Sequence, residues 1–268
     1  MDLQYKFACL KRKICGYKSC VIAFSGGQDS ALLLKACSQV LPKANILAVT
    51  AVSATYPEDE LRKARILAKD IGVKLKVIKT AELNNKKFTA NSVFRCYFCK
   101  KELFSKLIAI ASQNKFNFVL DASNISDKSD YRPGNIAKKE LKIRSPLLEA
   151  GFNKGDIRKL SKKLGLSSWN KPSLACLASR IPYGTKITAG LLRHIDQAEA
   201  YLISLGFQQV RLRHYNGLCR IEVEEKDINR LLRYRQAIVV KLKNLGYNYI
   251  TVDLEGYRTG SLNEVINR

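Results

Sequence analysis

One stretch organises the sequence: Ser25-Gly26-Gly27-Gln28-Asp29-Ser30. It follows the apolar residues 21–24, which have the character of a strand, and precedes residues 31–36, which have the character of a helix. Glycines let a backbone turn tightly and approach a ligand, and the first N–H groups of a helix attract negative charge. The stretch therefore predicts an anion site, with Asp29 as a holder of Mg²⁺ or an orienter of the loop.

The loop differs from a Walker A motif, which requires a Gly-Lys-Ser/Thr ending. No such lysine is present here. The pattern Ser-Gly-Gly-x-Asp-Ser instead resembles the PP-loop of ATP pyrophosphatases. This resemblance implies that ATP is cleaved between its α- and β-phosphates and that AMP is left on the substrate. A glycine turn that binds nothing is the structural alternative.

Composition limits the class of protein. The 268 residues suit one large domain or two smaller ones, and 46% hydrophobic with 26% charged residues indicates a globular chain. We find no secretory signal and no apolar run of the ~18 residues that span a bilayer, so we expect a cytoplasmic protein with no membrane partner. Eight cysteines in such a chain argue against a disulfide framework.

The formal charge of +24 indicates an anionic partner. Three readings stay open: a nucleic acid, a small polyphosphorylated substrate, or a lysine-rich solvated surface without a partner.

The first two thirds of the chain alternate apolar strands with amphipathic helices. We predict helices over residues 2–17, 29–38, 58–71, 98–113 and 154–164, and strands over 20–24, 46–52, 74–79 and 117–121. This alternation predicts a doubly wound parallel α/β sheet, in which ligands bind at the carboxyl ends of the strands. The long polar loop after residue 121 starts at such an end, which favours a functional role.

The character of the sequence changes near residue 186. We predict a helix over 187–205, a hairpin of strands 208–213 and 218–223, a helix over 226–245 and a strand over 248–253. The domain prediction is therefore residues 1–185 for the α/β domain and residues 186–268 for a smaller α+β domain that binds substrate or mediates oligomerisation.

Three cysteines stand apart from the others. Cys96 and Cys99 form a C-x-x-C, which fits a redox pair, half a zinc site, part of an iron–sulfur site or two chance thiols. Cys176, between Leu174 and Leu177, is either a buried thiol or a third ligand. Three thiolates suit a cubane cluster with one iron left open for an extra sulfide.

Five motifs together resemble the LarE-type sulfur transferases over about residues 20–264, and residues 171–185 match more specifically than the PP-loop does. The motifs are Ser-Gly-Gly-x-Asp-Ser (25–30), Arg-Cys-Tyr-x-Cys-Lys (95–100), Asp-Tyr-Arg-Pro-Gly (130–134), Trp-x-Lys-Pro-Ser-x-Ala-Cys-Leu-Ala-Ser-Arg-Ile-Pro-Tyr-Gly-Thr (169–185) and Asp-Leu-Glu-Gly-Tyr-Arg-x-Gly-Ser-x-Asn-Glu (253–264).

The resemblance implies an enzyme of nickel-pincer nucleotide biosynthesis. ATP would adenylate a carboxylate of a pyridinium-biscarboxylic acid mononucleotide, and sulfur would replace the activated oxygen. An upstream carboxylase, downstream nickel-insertion proteins and a homo-oligomeric assembly are further implied. Sulfur would come from a 4Fe–4S cluster on Cys96, Cys99 and Cys176, or sacrificially from Cys176, which would become dehydroalanine. The presence of Cys96 and Cys99 favours the cluster.

The resemblance also carries over site residues, position by position. The expected ATP contacts are Ser25, Gly26, Gly27, Asp29 and Ser30 at the pyrophosphate, Ala51 and Ser53 at the adenosine, and Asp121, Ser123 and Asn124 in the nucleotide-facing loop. Arg180 lies in the specific segment 171–185. Arg211 and Arg213 are expected to point outward on one strand face and, with Arg258, to bind the substrate phosphate; a solvated basic edge is the alternative.

Two positions depart from the family pattern. Gln28 stands where Val is common, and Ala122-Ser123-Asn124 stands where Gly-Thr-Asn is usual.

Three rival functions stay open. A PP-loop enzyme that thiolates tRNA is the first rival, favoured by the charge and disfavoured by the absence of a recognisable RNA-binding module. A non-catalytic adenine-nucleotide binding module is the second, and an amidotransferase or NAD-synthase-like ligase is a weaker third.

Overall fold

The computed structural model describes residues 2–129, 133–171 and 175–265. The chain forms two compact units, which we call unit 1 (Met1–Asn85 and Phe94–Leu174) and unit 2 (Lys86–Val93 and Ala175–Arg268). Residues 130–132 and 172–174, which belong to two of the motifs quoted above, lie outside the described residues.

Helices and strands follow the predicted alternation. The helices are α1 Leu3–Tyr17, α2 Gln28–Ser38, α3 Glu58–Ile71, α4 Lys86–Thr89, α5 Arg95–Gln113, α6 Gly134–Glu140, α7 Pro146–Glu149, α8 Lys154–Lys163, α9 Ala189–Ser204, α10 Ile228–Arg233 and α11 Arg235–Asn244. The strands are β1 Cys20–Ala23, β2 Ile46–Val52, β3 Leu75–Lys79, β4 Phe118–Leu120, β5 Val210–Tyr215, β6 Leu218–Val223 and β7 Tyr249–Val252. None of the helices within the described ranges is long and apolar enough to cross a membrane.

Unit 1 is built on a parallel sheet with the strand order β3-β2-β1-β4. Alternate strand residues enter two separate hydrophobic clusters: Ile22 and Ala48 pack with helices α1, α2, α3 and α8, whereas Val21 and Leu47 pack with α5. Helices therefore cover both faces of the sheet, and the predicted doubly wound α/β class is confirmed. Because β1, β2 and β4 are parallel neighbours, their carboxyl ends lie along one edge.

Unit 2 contains the predicted hairpin. β5 and β6 are antiparallel around Asn216 and Gly217, both with positive φ, and β7 lies parallel to β6. The predicted long helix over 226–245 is instead two helices, α10 and α11, interrupted at Tyr234 (φ −92°, ψ 8°). The Tyr234 ring packs edge-on against Phe207 with 6.2 Å between centroids.

The division between the units differs from the predicted boundary at residues 185/186. Unit 2 begins at Ala175 and also takes in residues 86–93. Hydrogen bonding explains the difference, because the buried Asn91 amide donates to the carbonyls of Ile181, Pro182 and Thr185 at 3.3, 2.7 and 2.9 Å. Sequence periodicity cannot predict these hydrogen bonds, because the two segments that they join have no strand or helix pattern.

Candidate functional site

The glycine turn between β1 and α2 has the geometry of an anion site. Gly26 has φ +70°, and a Cβ placed there would lie 2.9 Å from the Ala64 Cβ on α3. The Ser30 hydroxyl donates to the Gly27 carbonyl at 3.1 Å, and the Gly27 N–H donates to Ser25 Oγ at 3.3 Å. The loop is thus closed by its own side chains at the start of α2, whose first N–H groups carry the positive end of the helix dipole.

Asp29, in the first turn of α2, contacts an ammonium group from a distant helix. Its Oδ2 is paired with the Nζ of Lys154 and accepts a hydrogen bond from Asn124 Nδ2 at 3.3 Å. Lys154 is the first residue of α8, whose N-terminus is fixed by a capping box between Asn153 and Asp156. The sequence reasoning missed this lysine, which no pattern connects with the loop.

A second lysine reaches the same loop. Lys171 Nζ donates to the Gly26 carbonyl at 3.2 Å and forms an ion pair with the buried Glu60 of α3. The Gln28 side-chain amide donates to the Trp169 carbonyl. Gln28, a departure from the usual PP-loop pattern, therefore ties the loop to the segment that follows α8.

Ala51 and Ser53 lie at the carboxyl end of β2, the strand next to β1. Ser53 Oγ donates to Glu82 Oε1 at 3.0 Å, and Thr55 Oγ1 lies 3.4 Å from the same oxygen. Glu82 itself is buried and was not predicted. Both predicted residues thus share the strand-end edge with the loop.

Asp121 directly follows β4, and its side chain is buried. Its carboxylate is 3.0 Å from Lys138 Nζ and accepts hydrogen bonds from the hydroxyls of Ser123, at 2.7 Å, and Ser145. Burial by itself would raise the pKa of Asp121, but Lys138 and the two serine hydroxyls hold that pKa below its usual value. Asp121 therefore anchors the polar loop.

Asn124 is also fully buried in that loop, and its amide orients Asp29. Of the three residues predicted in this loop, Asp121, Ser123 and Asn124, the first and the last are therefore buried and stabilise the site through their contacts.

Cys96 and Cys99 lie in the first turns of α5, because helical hydrogen bonding begins at the Phe94 carbonyl rather than near residue 98. Cys96 is exposed, and the half-buried Cys99 donates from Sγ to Glu82 Oε1 at 3.8 Å. Their i, i+3 spacing places both thiols on one side of the helix. Cys176, the third predicted ligand, belongs to unit 2. Across the described residues, no group of three or more His, Cys, Asp or Glu side chains is arranged to hold a metal ion.

Arg180 organises the backbone around Cys176 in unit 2. Its buried guanidinium binds both carboxylate oxygens of Glu199, at 2.9 and 2.7 Å. The same group donates to the carbonyls of Ala175 and Cys176 at 2.6 and 3.1 Å. Cys176 is exposed, so its backbone is fixed at a position open to solvent.

The prediction that Arg211 and Arg213 point outward is wrong, because both are buried. Arg213 binds both oxygens of Glu222 at 2.8 and 2.9 Å and donates to the Ser179 carbonyl at 2.8 Å. Glu222 lies on β6, directly opposite Arg211. The neighbouring strand therefore supplies the carboxylate that permits the Arg213 guanidinium to be buried.

The electrostatic environment of Arg211 is less favourable than that of Arg213. Its guanidinium lies over the Tyr257 ring, 5.2 Å from the centroid. Burial, and then the positive charge of Arg180, lower the pKa of Arg211. Arg258 is partly exposed and pairs with Asp253, Glu255 and Glu264. Arg211 and Arg213 are thus buried rather than part of a solvated edge, whereas Arg258 is partly exposed among three carboxylates.

Comparisons with known proteins agree with this geometry. A family model described as NAD synthase matches residues 4–126. The chain is 38% identical over 266 residues to the pyridinium-3,5-bisthiocarboxylic acid mononucleotide synthase of Lactiplantibacillus plantarum, covering 99% of this chain and 96% of that protein. It is 42% identical to an uncharacterised protein of Synechocystis sp., covering 92% and 93% of the two chains. An uncharacterised protein of Methanocaldococcus jannaschii is 31% identical, with 90% and 92% coverage.

Proposed function

Because the chain belongs to the LarE-type sulfur transferases of the PP-loop superfamily, we propose that its substrate is a pyridinium-biscarboxylic acid mononucleotide. ATP adenylates one substrate carboxylate, pyrophosphate leaves, and sulfur displaces AMP to give a thiocarboxylate for the nickel-pincer nucleotide. Activation is needed because a carboxylate oxygen is a poor leaving group, whereas AMP is a good one.

The observation that carries this proposal is the loop with its two remote lysines. The first N–H groups of α2 and the hydroxyls of Ser25 and Ser30 are donors for the pyrophosphate part of ATP. Lys154 supplies the cationic contact to the phosphates that a Walker lysine supplies elsewhere. Ala51 and Ser53 border the adenosine at the end of β2, and the Asp121–Asn124 loop follows β4 on the other side of β1.

Asp29 suits Mg²⁺, which prefers carboxylate oxygens and a substrate phosphate as ligands. Its carboxylate is partly buried at the start of α2, and Asn124 fixes its orientation. When bound, Mg²⁺ neutralises charge on the phosphates and so favours departure of pyrophosphate.

We further propose that Arg211 and Arg213, with Arg258, bind the phosphate of the substrate. The carboxylates of Glu222 and Asp253 hold two of these guanidiniums in place, so binding an anion requires little reordering. Arg211 supports the proposal most directly, because an anion would offset the burial and the like charge that lower its pKa.

The sulfur donor in this proposal is a 4Fe–4S cluster held by Cys96, Cys99 and Cys176. Thiolates are the ligands that such clusters take, and two of the three thiols share one side of α5. When bound, the cluster supplies sulfide from its open iron. The sacrificial route from Cys176 is the alternative.

The function is tested by AMP and pyrophosphate release from the full-length protein with ATP and the mononucleotide. Asp29→Asn should abolish release, because it removes the carboxylate proposed for Mg²⁺, whereas Asp70→Asn on the exposed end of α3 should not. Release that required tRNA instead, with an affinity that falls steeply with salt, would favour tRNA thiolation, a rival suggested by the charge of +24.

The sulfur source is tested by anaerobic reconstitution and intact mass. Cys96→Ala, Cys99→Ala and Cys176→Ala should each abolish the iron–sulfur absorbance, with exposed Cys15→Ala as the matched control. Full cluster retention in any of the three would refute its ligand role. Loss of the mass of one H₂S after turnover would identify the sacrificial route, whereas an unchanged mass is expected for the cluster.

A further inference from the structure

Two lysines contact the loop, and their surroundings differ. Lys171 is held by Glu60, which is buried in α3, and its own side chain is only 16% exposed. Lys154 is 44% exposed, and its partner Asp29 is 21% exposed. Lys171 is therefore a fixed part of the loop's packing, whereas Lys154 has solvent around its ammonium group and room to move.

The partner of Lys154 is the carboxylate that the proposed function assigns to Mg²⁺. The ammonium binds Asp29 Oδ2, and Asn124 Nδ2 donates to the same oxygen at 3.3 Å. A divalent cation and an ammonium group repel each other when they share one carboxylate oxygen in a partly buried site. Metal bound at Asp29 therefore requires Lys154 to withdraw from that oxygen.

The backbone of Lys154 stays anchored during such a change. α8 starts with a capping box, and the Lys154 N–H donates to Ser126 Oγ at 3.2 Å. Only the flexible side chain has to move, and the phosphates of ATP offer its charge a new partner beside the same loop. The displacement becomes favourable when nucleotide is present and unfavourable when it is absent.

We propose that Lys154 is the counter-ion of Asp29 in the nucleotide-free enzyme and makes metal binding conditional on nucleotide. The ammonium occupies Asp29 until ATP arrives, then transfers to the phosphates and leaves the carboxylate to the metal. Metal and nucleotide thus bind together, and the free enzyme does not retain a divalent ion in its loop. This inference rests on the proposed role of Asp29 in holding the metal.

The test measures Mn²⁺ binding to the full-length protein by the electron paramagnetic resonance signal of free Mn²⁺. Without nucleotide, Lys154→Met should bind Mn²⁺ about 10-fold or more tightly than the unaltered protein, because the competing charge is gone. With an ATP analogue that resists cleavage between its α- and β-phosphates, the same variant should bind nucleotide about 10- to 100-fold more weakly, the range expected for a lost charged hydrogen bond. Lys163→Met, an exposed lysine in the last turn of α8, should change neither value.

Tighter Mn²⁺ binding together with weaker nucleotide binding distinguishes this role from a purely structural one, because a damaged loop would bind both ligands more weakly. Equal or weaker Mn²⁺ binding by Lys154→Met would overturn the proposal, and Lys154→Gln provides the same comparison if the methionine variant does not fold. Asp29→Asn separates the two hypotheses: unchanged Mn²⁺ binding in the presence of the analogue would refute the metal role of Asp29 itself.

Discussion

At the scale of single residues, the site depends on ion pairs between positions far apart in the chain. The pairs Asp29–Lys154 and Glu60–Lys171 both contact the glycine loop, and the pair Asp121–Lys138 lies at the neighbouring strand end. One charged partner of each pair lies in a stretch whose local sequence is that of an ordinary helix or turn and gives no sign of a site. The partners Lys154, Lys171, Glu60 and Lys138, together with Glu82 and Glu199, are the residues of the site that sequence reasoning did not find.

Asp121 and Lys138 are both buried, with side chains 8% and 10% exposed. Asp121→Asn should lower the free energy of unfolding at pH 7 by about 3 kcal/mol, because it leaves the Lys138 charge buried without its carboxylate. The measurement is urea unfolding. Asp59→Asn, at an exposed position of α3, removes contacts to Arg62 and Lys63 and should cost less than about 1 kcal/mol.

The same pair predicts a direction of pH dependence. The pKa of folded Asp121 lies below its usual value, so the stabilisation is complete above the unfolded pKa of about 4 and is lost as the pH falls through the lower folded pKa. The stability difference between the unaltered protein and Asp121→Asn should therefore shrink in acid. A difference that grew below pH 4 would contradict the assignment.

At the scale of elements, the sequence predicted the parallel strands and most helices because their apolar periodicity is local. The start of α5 and the break at Tyr234 were missed, since a hydrogen bond to the Phe94 carbonyl and a ring contact with Phe207 set them. The burial of Arg211 and Arg213 was missed for a related reason. Alternation along β5 places the two arginines on one face, but only the register with β6 reveals Glu222 beside them.

The close approach of the loop to α3 belongs to this scale as well. Gly26→Ala should lower the free energy of unfolding by about 2 kcal/mol or more, because alanine combines an unfavourable positive φ with a Cβ 2.9 Å from Ala64. Gly27→Ala is the matched comparison: that residue has φ −79°, and its Cβ would meet only Ser25 Oγ, at 3.3 Å. Equal destabilisation of the two variants in urea unfolding would show that the packing against α3 does not matter.

At the scale of the whole molecule, the sequence predicted the fold class of each unit but not which residues belong to each unit. The shift from βαβ alternation to a hairpin pattern near residue 186 marked a second unit. Residues 175–185 have no periodic pattern of their own. Hydrogen bonds donated by Asn91 and the ion pair of Arg180 with Glu199 join them to the rest of unit 2. The segment that carries Cys176 is thereby positioned by unit 2 rather than by the sheet.

Residues 86–93 interrupt unit 1 in sequence while belonging to unit 2, and this limits how the gene can be divided. A clone that starts at residue 175 lacks Asn91, whose amide binds three carbonyls of that same clone. A clone that stops at residue 174 retains the Asn91 amide without those acceptors. Exchange of this unit between homologues therefore needs three crossovers, at 85/86, 93/94 and 174/175, so a single crossover cannot transfer it as a cassette.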